Sequence, residues 1–128
     1  MLIRHEGKKL KPYKCPAGKI TIGVGRNLQD VGISEDEALF LMRNDIKRIR
    51  EDLSGRLTCW GALSEERKDV LINMAFNMGI VGLMRFKKML AHIAAEHYAE
   101  AAEEMLKSVW ARQVGNRAKE LAKIMREE

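Results

Sequence analysis

Apolar and polar residues alternate with two different periodicities along this chain. Between residues 20 and 25, apolar side chains occupy every second position, which is the period of a β-strand. From residue 34 onward, apolar residues recur every three or four positions, which is typical of helices that pack on one side. The pattern predicts an α+β protein that is mainly α-helical, with one small β-hairpin near the N-terminus.

The hairpin is predicted around Cys15-Pro16-Ala17-Gly18, because proline at the second place and glycine at the fourth favour a tight turn. On the outgoing strand, Thr21 should be the one polar side chain on a face otherwise made of Gly23 and Gly25. Such a bare face either tightens a twisted ribbon or lets a flat ligand approach the backbone. The strand pattern alone favours the first interpretation.

A short helix is predicted before the hairpin, ending at Gly7, since glycine commonly follows the last helical residue. Glu6 closes this helix. Its sequence neighbours alone indicate a solvated surface acid.

A longer helix should join two lobes of a single domain. Ser34 and Glu37 form a capping box that opens this helix, which we expect at about residues 34–52. The small hairpin lobe should cover about residues 8–32. The helical lobe should cover about residues 60–128, together with the N-terminal helix.

The helical lobe should be built around a buried axis. Ser64 is placed to cap a helix whose residues 70–78 are apolar nearly all round, and Gly79 should end it. Further helices are predicted near residues 83–93, 98–109 and 116–125.

Composition fits one small domain with a general attraction to polyanions. The 128 residues carry 23 basic and 18 acidic side chains, a net charge of +5. These basic residues are scattered, which argues against a nucleic-acid groove reader. No apolar run approaches the ~20 residues of a membrane span, so neither membrane insertion nor a targeting segment is expected.

The potential metal ligands are few and dispersed. Cys15 and Cys59 are the only cysteines and are expected to be free thiols. His5, His92 and His97 are not grouped with them. Neither a metal site nor another cofactor is predicted.

Four blocks of sequence resemble the phage lysozyme family, the T-even phage endolysins and their prophage relatives. They are residues 2–28, ISEDEA at 33–38, residues 62–63 with VLINMAFNMG at 70–79, and WARQVGNRA at 110–118. The blocks occur in family order over almost the whole chain. The resemblance implies a two-lobe lysozyme-like fold, with a shorter connector between Leu28 and Ile33 than in the T-even enzyme.

The resemblance also implies the catalytic residues. Glu6 falls on the catalytic glutamate of the family and Thr21 on its catalytic-site threonine. Cys15 stands where many members have aspartate. The implied activity is hydrolysis of the β-1,4 bond between N-acetylmuramic acid and N-acetylglucosamine in peptidoglycan, with Glu6 as general acid.

Other positions are implied to bind substrate or to join the lobes. Phe76 and Asn77 fall on family positions that line the sugar cleft, and Arg117 falls on the arginine that pairs with the catalytic glutamate. By sequence alone, Arg117 is a helix-surface cation. Arg26 and Asp45 fall on positions that form an ion pair between the hairpin lobe and the following helix.

The role of Cys15 is open at this stage, because a thiol assists a positive transition state only when it ionises. A Cys15 thiolate could activate or orient water, with Thr21 helping to hold that water, or it could attack the anomeric carbon directly. The first mechanism inverts the anomer and the second retains it. A third alternative is a structural thiol, with Glu6 carrying the catalysis largely alone.

Three further functions compete with hydrolysis: a catalytically weak wall-binding protein, a lytic transglycosylase and a small helical nucleic-acid binder. For the lysozyme, we expect synthesis in the bacterial cytoplasm, passage to the wall through a separate holin pore, lysis of the host cell, and a monomer.

Overall fold

The computed structural model describes residues 1–128. It has seven α-helices and a three-stranded sheet, a mainly helical α+β architecture as predicted. By its internal contacts the chain divides into a hairpin unit, Met1–Met42, and a helical unit, Arg43–Glu128. The elements up to the boundary are α1 (Leu2–Glu6), β1 (Lys9–Lys14), β2 (Ile20–Gly23), β3 (Arg26–Asn27) and α2 (Glu35–Arg56), and the boundary lies within α2.

The predicted tight turn joins β1 to β2. The N–H of Gly18 donates to the carbonyl oxygen of Cys15 at 2.8 Å, and Gly18 has a φ of 81°. The strands pair antiparallel in the order β1-β2-β3. The register of β1 shifts between Lys9 and Tyr13, in the stretch that contains Pro12, which has no N–H to donate to a neighbour.

The outgoing strand is shorter than predicted, because β2 ends at Gly23. Gly23 and Gly25 have φ values of 70° and 74°, which lie outside the strand region and favour glycine. The chain turns at Val24 and Gly25 and enters β3, a strand that the sequence did not indicate. The prediction that Gly25 belongs to the face of β2 is therefore wrong.

The capping box forms as predicted and also holds the hairpin. The N–H of Ser34 donates to Glu37 Oε1 at 2.9 Å, and the N–H of Glu37 donates to Ser34 Oγ at 3.1 Å. Arg26 Nη1 donates to the same Glu37 oxygen at 2.7 Å. The expected clamp to the following helix thus uses Glu37, whereas Asp45 accepts from Arg48 in its own helix at 2.8 Å.

The helical unit begins with the second part of α2, which extends to Arg56. Ser64 Oγ accepts from the N–H of Arg67 at 3.2 Å, so the predicted cap is confirmed. The following helix is interrupted at Gly79, where φ is 84°, and resumes beyond it. The helices after the cap are α3 (Glu65–Met84), α4 (Lys87–Ala94), α5 (Tyr98–Lys107), α6 (Val109–Val114) and α7 (Asn116–Glu127).

The helix expected at residues 98–109 ends at Lys107, and a separate helix that was not predicted, α6, begins at Val109. Ser108 adopts an extended conformation, and its hydroxyl oxygen accepts from the N–H of Ala111 at 3.1 Å. Serine favours this N-cap position over a helix interior, because its hydroxyl satisfies a free amide of the first turn. A helix start was therefore present in the sequence and was missed.

The core of the helical unit surrounds α3, as the apolar run predicted. α7 packs against α3 and α5. Phe76 departs from the predicted core, since 46% of its surface is exposed. The fully or almost fully buried residues of α3 and α7 include Val70, Leu71, Met74, Ala75, Ala118, Ala122 and Met125.

No single helix is long and apolar enough to cross a membrane. Taken together, α3 and α4 would be long and apolar enough for a membrane span, but the chain bends by 99° between them.

The Glu37 clamp should make stability depend on pH. Hydrogen bonding to Arg26, with a smaller contribution from the Ser34 amide, lowers the pKa of Glu37 from 4.5 to about 2. A depressed carboxyl pKa stabilises the folded state above the unfolded value, and this stabilisation is lost as pH falls from 4.5 towards 2. We expect Glu37→Gln to lower the thermal unfolding midpoint modestly at pH 6 and progressively less below pH 4.

Glu51→Gln, at an exposed position of the same helix, is the control and should lack this pH-dependent difference. An NMR titration midpoint near 4.5 for the Glu37 carboxyl would contradict the account.

Candidate active site

The turn after β1 surrounds the Cys15 thiol with backbone amides. Hydrogen bonding from the Lys19 amide lowers the pKa of Cys15, and the Ala17 amide adds to this effect. Partial burial opposes it. The N–H of Cys15 itself donates to the Lys19 carbonyl oxygen at 2.9 Å, which fixes the turn. The hairpin therefore favours a thiolate.

Thr21 lies in the middle strand of the sheet, where it pairs with Tyr13 of β1 and Asn27 of β3. It is the one buried polar residue of the chain, with 3% of its surface exposed. Its hydroxyl donates to the Lys19 carbonyl oxygen at 2.8 Å. The alternative in which a bare strand face admits a flat ligand therefore does not hold at Thr21. Because its proton is committed to Lys19, the hydroxyl oxygen is free to accept.

Glu6 is the last residue of α1 and is exposed to solvent. The chain turns away at Gly7, which has a φ of 76°. The Glu6 carboxylate lies against Gly25, where an added Cβ would be 3.2 Å from Glu6 Oε2. The fold thus brings Glu6 to one end of β2, while Cys15 is near the start of that strand. Sequence spacing gave no signal for the contact with Gly25.

Two candidate substrate-binding residues of the helical unit, Asn77 and Arg117, have side-chain hydrogen-bond partners. Asn77 Oδ1 accepts from the indole Nε1 of the buried Trp110 at 2.9 Å. Arg117 donates to Asn73 Oδ1 through Nε at 3.0 Å and through Nη2 at 2.5 Å. Asn73 was missed by sequence reasoning, although an amide within an apolar run was a usable signal. The implied pairing of Arg117 with Glu6 stays a prediction.

Phe76 faces an open pocket between α2 and α3 of about 190 Å³. A second pocket, of about 470 Å³, is lined by four cations and one carboxylate, Glu104. Glu104 lies 3.7 Å from the Nζ of Lys107. Positive charge is therefore concentrated on this part of the helical unit. The four cations of the second pocket are Arg85, Lys87, Lys88 and Lys107.

No group of three or more histidine, cysteine, aspartate or glutamate side chains is arranged to hold a metal ion. Cys15 and Cys59 are both free thiols, as predicted.

Comparison with known proteins relates the whole chain to a single family. A probable T4-type lysozyme 1 of Dictyostelium discoideum is 30% identical over 156 aligned positions, covering 98% of this chain and 91% of that protein. The endolysin of Acyrthosiphon pisum secondary endosymbiont phage 1 is 28% identical, over 84% of this chain and 73% of that protein. The pre-baseplate central spike protein Gp5 of Enterobacteria phage T4 is also 28% identical, over 98% of this chain but only 27% of its own length.

The 156 aligned positions with the Dictyostelium protein exceed the 128 residues of this chain, so that relative has residues without a counterpart here. The family model described as phage lysozyme matches residues 3–128. On the extent of this match, the chain belongs to the phage lysozyme family.

Proposed function

We propose that this protein is a lysozyme that hydrolyses the β-1,4 bond between N-acetylmuramic acid and N-acetylglucosamine in bacterial peptidoglycan. Membership of the family and the names of two relatives, a T4-type lysozyme and an endolysin, support this proposal. The observation that carries it to this chain is the arrangement of the hairpin unit. Glu6 lies at the Gly25 turn, while Cys15 and Thr21 lie together near the start of the same strand.

Glu6 is the proposed general acid. Glycoside cleavage requires a carboxylic acid to protonate the leaving oxygen as the sugar acquires oxocarbenium character. Glu6 is exposed in the hairpin unit. We infer that bound sugar, rather than the protein alone, excludes water from this carboxyl group during the reaction.

Cys15 and Thr21 are proposed to hold and activate the attacking water. The Thr21 hydroxyl donates to the Lys19 carbonyl, so its oxygen can accept a hydrogen bond from one O–H group of a water molecule, whose proton stays on the water oxygen. The other proton passes to the Cys15 thiolate as the water oxygen bonds to the anomeric carbon. Glu6 gives its proton to the leaving oxygen as the glycosidic bond breaks. Attack from the side opposite the leaving group inverts the anomer.

The helical unit would supply the substrate contacts. The exposed ring of Phe76 offers an apolar surface to a sugar, and the side-chain NH₂ of Asn77 can donate because only its oxygen is engaged by Trp110. Arg117, held by Asn73, offers a fixed cation. The net charge of +5 would draw the protein towards carboxylate-bearing wall polymers.

In its biological setting, the proposed enzyme acts as a phage or prophage endolysin. It would be made in the bacterial cytoplasm, reach the wall through a separate holin pore, work as a monomer and cause lysis.

Replacing Glu6 with glutamine should lower the release of reducing ends from purified peptidoglycan at least ~100-fold, since the variant has no proton to donate. Glu35→Gln, at an exposed position of the same unit, should retain wild-type activity. Mass analysis of the muropeptides identifies the reaction. Products lighter by one water would indicate a transglycosylase, and inactive wild type would indicate a wall-binding protein.

The thiolate claim predicts unusual reactivity of Cys15. In a Cys59→Ser variant, the rate at which iodoacetamide alkylates Cys15 should increase with pH. The midpoint of this increase should lie at a lower pH in the folded protein than in urea. The reason is that the Lys19 amide, foremost, lowers the pKa of Cys15 only in the folded turn. Identical midpoints in both states, measured by mass spectrometry, would contradict the claim.

Cys15→Asp distinguishes the roles of the thiol. If Cys15 accepts a proton from water, a carboxylate can replace it, and we expect kcat within about tenfold of wild type. Cys15→Ala should be at least ~100-fold slower. A large loss in Cys15→Asp would favour direct attack by sulfur, and full activity of Cys15→Ala would assign a structural role.

A further inference from the structure

We propose that Gly25 is a positioning residue for Glu6: the absence of a side chain at Gly25 sets where the Glu6 carboxyl group delivers its proton. The inference rests on the proposed function, because it requires Glu6 to be the general acid. In this role Gly25 makes room for a side chain of the protein itself, whereas the sequence alone suggested that a bare glycine face could admit a flat ligand.

The contact is close and specific. A Cβ at Gly25 would lie 3.2 Å from Oε2 of Glu6 and 3.5 Å from both its Cδ and its Cγ. The first distance is tighter than ordinary van der Waals contact, so a methyl group would push the carboxylate away by a few tenths of an ångström. A Cβ would meet nothing within 4 Å at the other positive-φ glycines of this unit, Gly7, Gly18, Gly23 and Gly32.

The Gly25 turn lies beside a carboxylate that no other group of the hairpin unit holds. Glu6 ends a helix of only five residues, and within the hairpin unit no hydrogen bond or ion pair holds its side chain. An exposed glutamate is otherwise free to sample several rotamers. A side chain at position 25 would occupy the space next to the Glu6 carboxylate. With glycine there, the carboxylate lies directly against the turn.

Such a shift matters for proton transfer. A general acid must lie within about 2.6–3.2 Å of the oxygen that it protonates, and a displacement of about 1 Å can cost about 100-fold in rate. A displacement of a few tenths of an ångström should therefore lower kcat about tenfold. Substrate affinity should hardly change, because Gly25 is proposed to act on Glu6 and not to contact the sugar.

The test compares Gly25→Ala with Gly32→Ala. Gly25 and Gly32 have φ values of 74° and 68° in the same unit, so alanine should cause similar backbone strain at either position. The carbonyl of Gly32, which accepts from Arg26, is retained in the variant. We expect similar drops in thermal unfolding midpoint, with kcat about tenfold lower and KM within about twofold only in Gly25→Ala.

A second readout uses a shorter acid. Glu6→Asp withdraws the carboxylate from Gly25 by one methylene group, so it should be slower than wild type but much less sensitive to Gly25→Ala. Gly32→Ala should change kcat only slightly, and by the same factor in wild type and in Glu6→Asp. If alanine at position 25 prevents folding, the pair Gly25→Asn and Gly32→Asn replaces it, since asparagine tolerates positive φ better.

The outcomes separate this inference from the proposed function. Equal kcat values for Gly25→Ala and Gly32→Ala, with Glu6→Gln inactive, would overturn the positioning role and leave the lysozyme proposal intact. A higher KM with unchanged kcat would overturn it as well, and would assign Gly25 to the substrate surface. Wild-type activity in Glu6→Gln would refute the proposed function itself.

Discussion

The approach of the Gly25 backbone to the Glu6 carboxylate is the contact on which the proposed active site depends. It exists because two short elements end at glycines: α1 turns away at Gly7, and β2 ends at Gly23 before the chain reverses. Neither element buries enough apolar surface to be stable alone. The site is therefore located by backbone turns and hydrogen bonds, with Cys15 near the start of the strand that leads to Gly25.

The helical unit orients its candidate groups by a different means. Asn73 and Asn77 are four residues apart and so lie on one face of α3. One amide oxygen holds the Arg117 guanidinium and the other holds the Trp110 indole, while the apolar residues around them form the buried core. Because the buried apolar residues next to Asn73 and Asn77 fix α3 in the core, both amides are held by a packed helix and not by a loop.

Features set by local chemistry could be predicted from sequence, among them the Cys15–Gly18 turn, the caps at Ser34 and Ser64, and the break at Gly79. Features set by tertiary geometry could not. The burial of Thr21 requires a third strand that is only two residues long, and the contact of Gly25 with Glu6 joins elements with no shared periodicity. The proposed catalytic residues were implied by family resemblance, since the pattern alone indicated a surface acid at Glu6. That position is indeed exposed, so burial would not have identified it either.

The central chemical claim is that Glu6 donates a proton while Cys15 and Thr21 direct water to the opposite face of the sugar. Proton NMR of a soluble peptidoglycan oligosaccharide, recorded in the first minutes after adding wild-type protein, reports the anomer of each new reducing end before mutarotation mixes the two forms. The α-anomer should appear first, because attack by water inverts the β-linkage. Initial release of the β-anomer would contradict it and would indicate a covalent intermediate on Cys15.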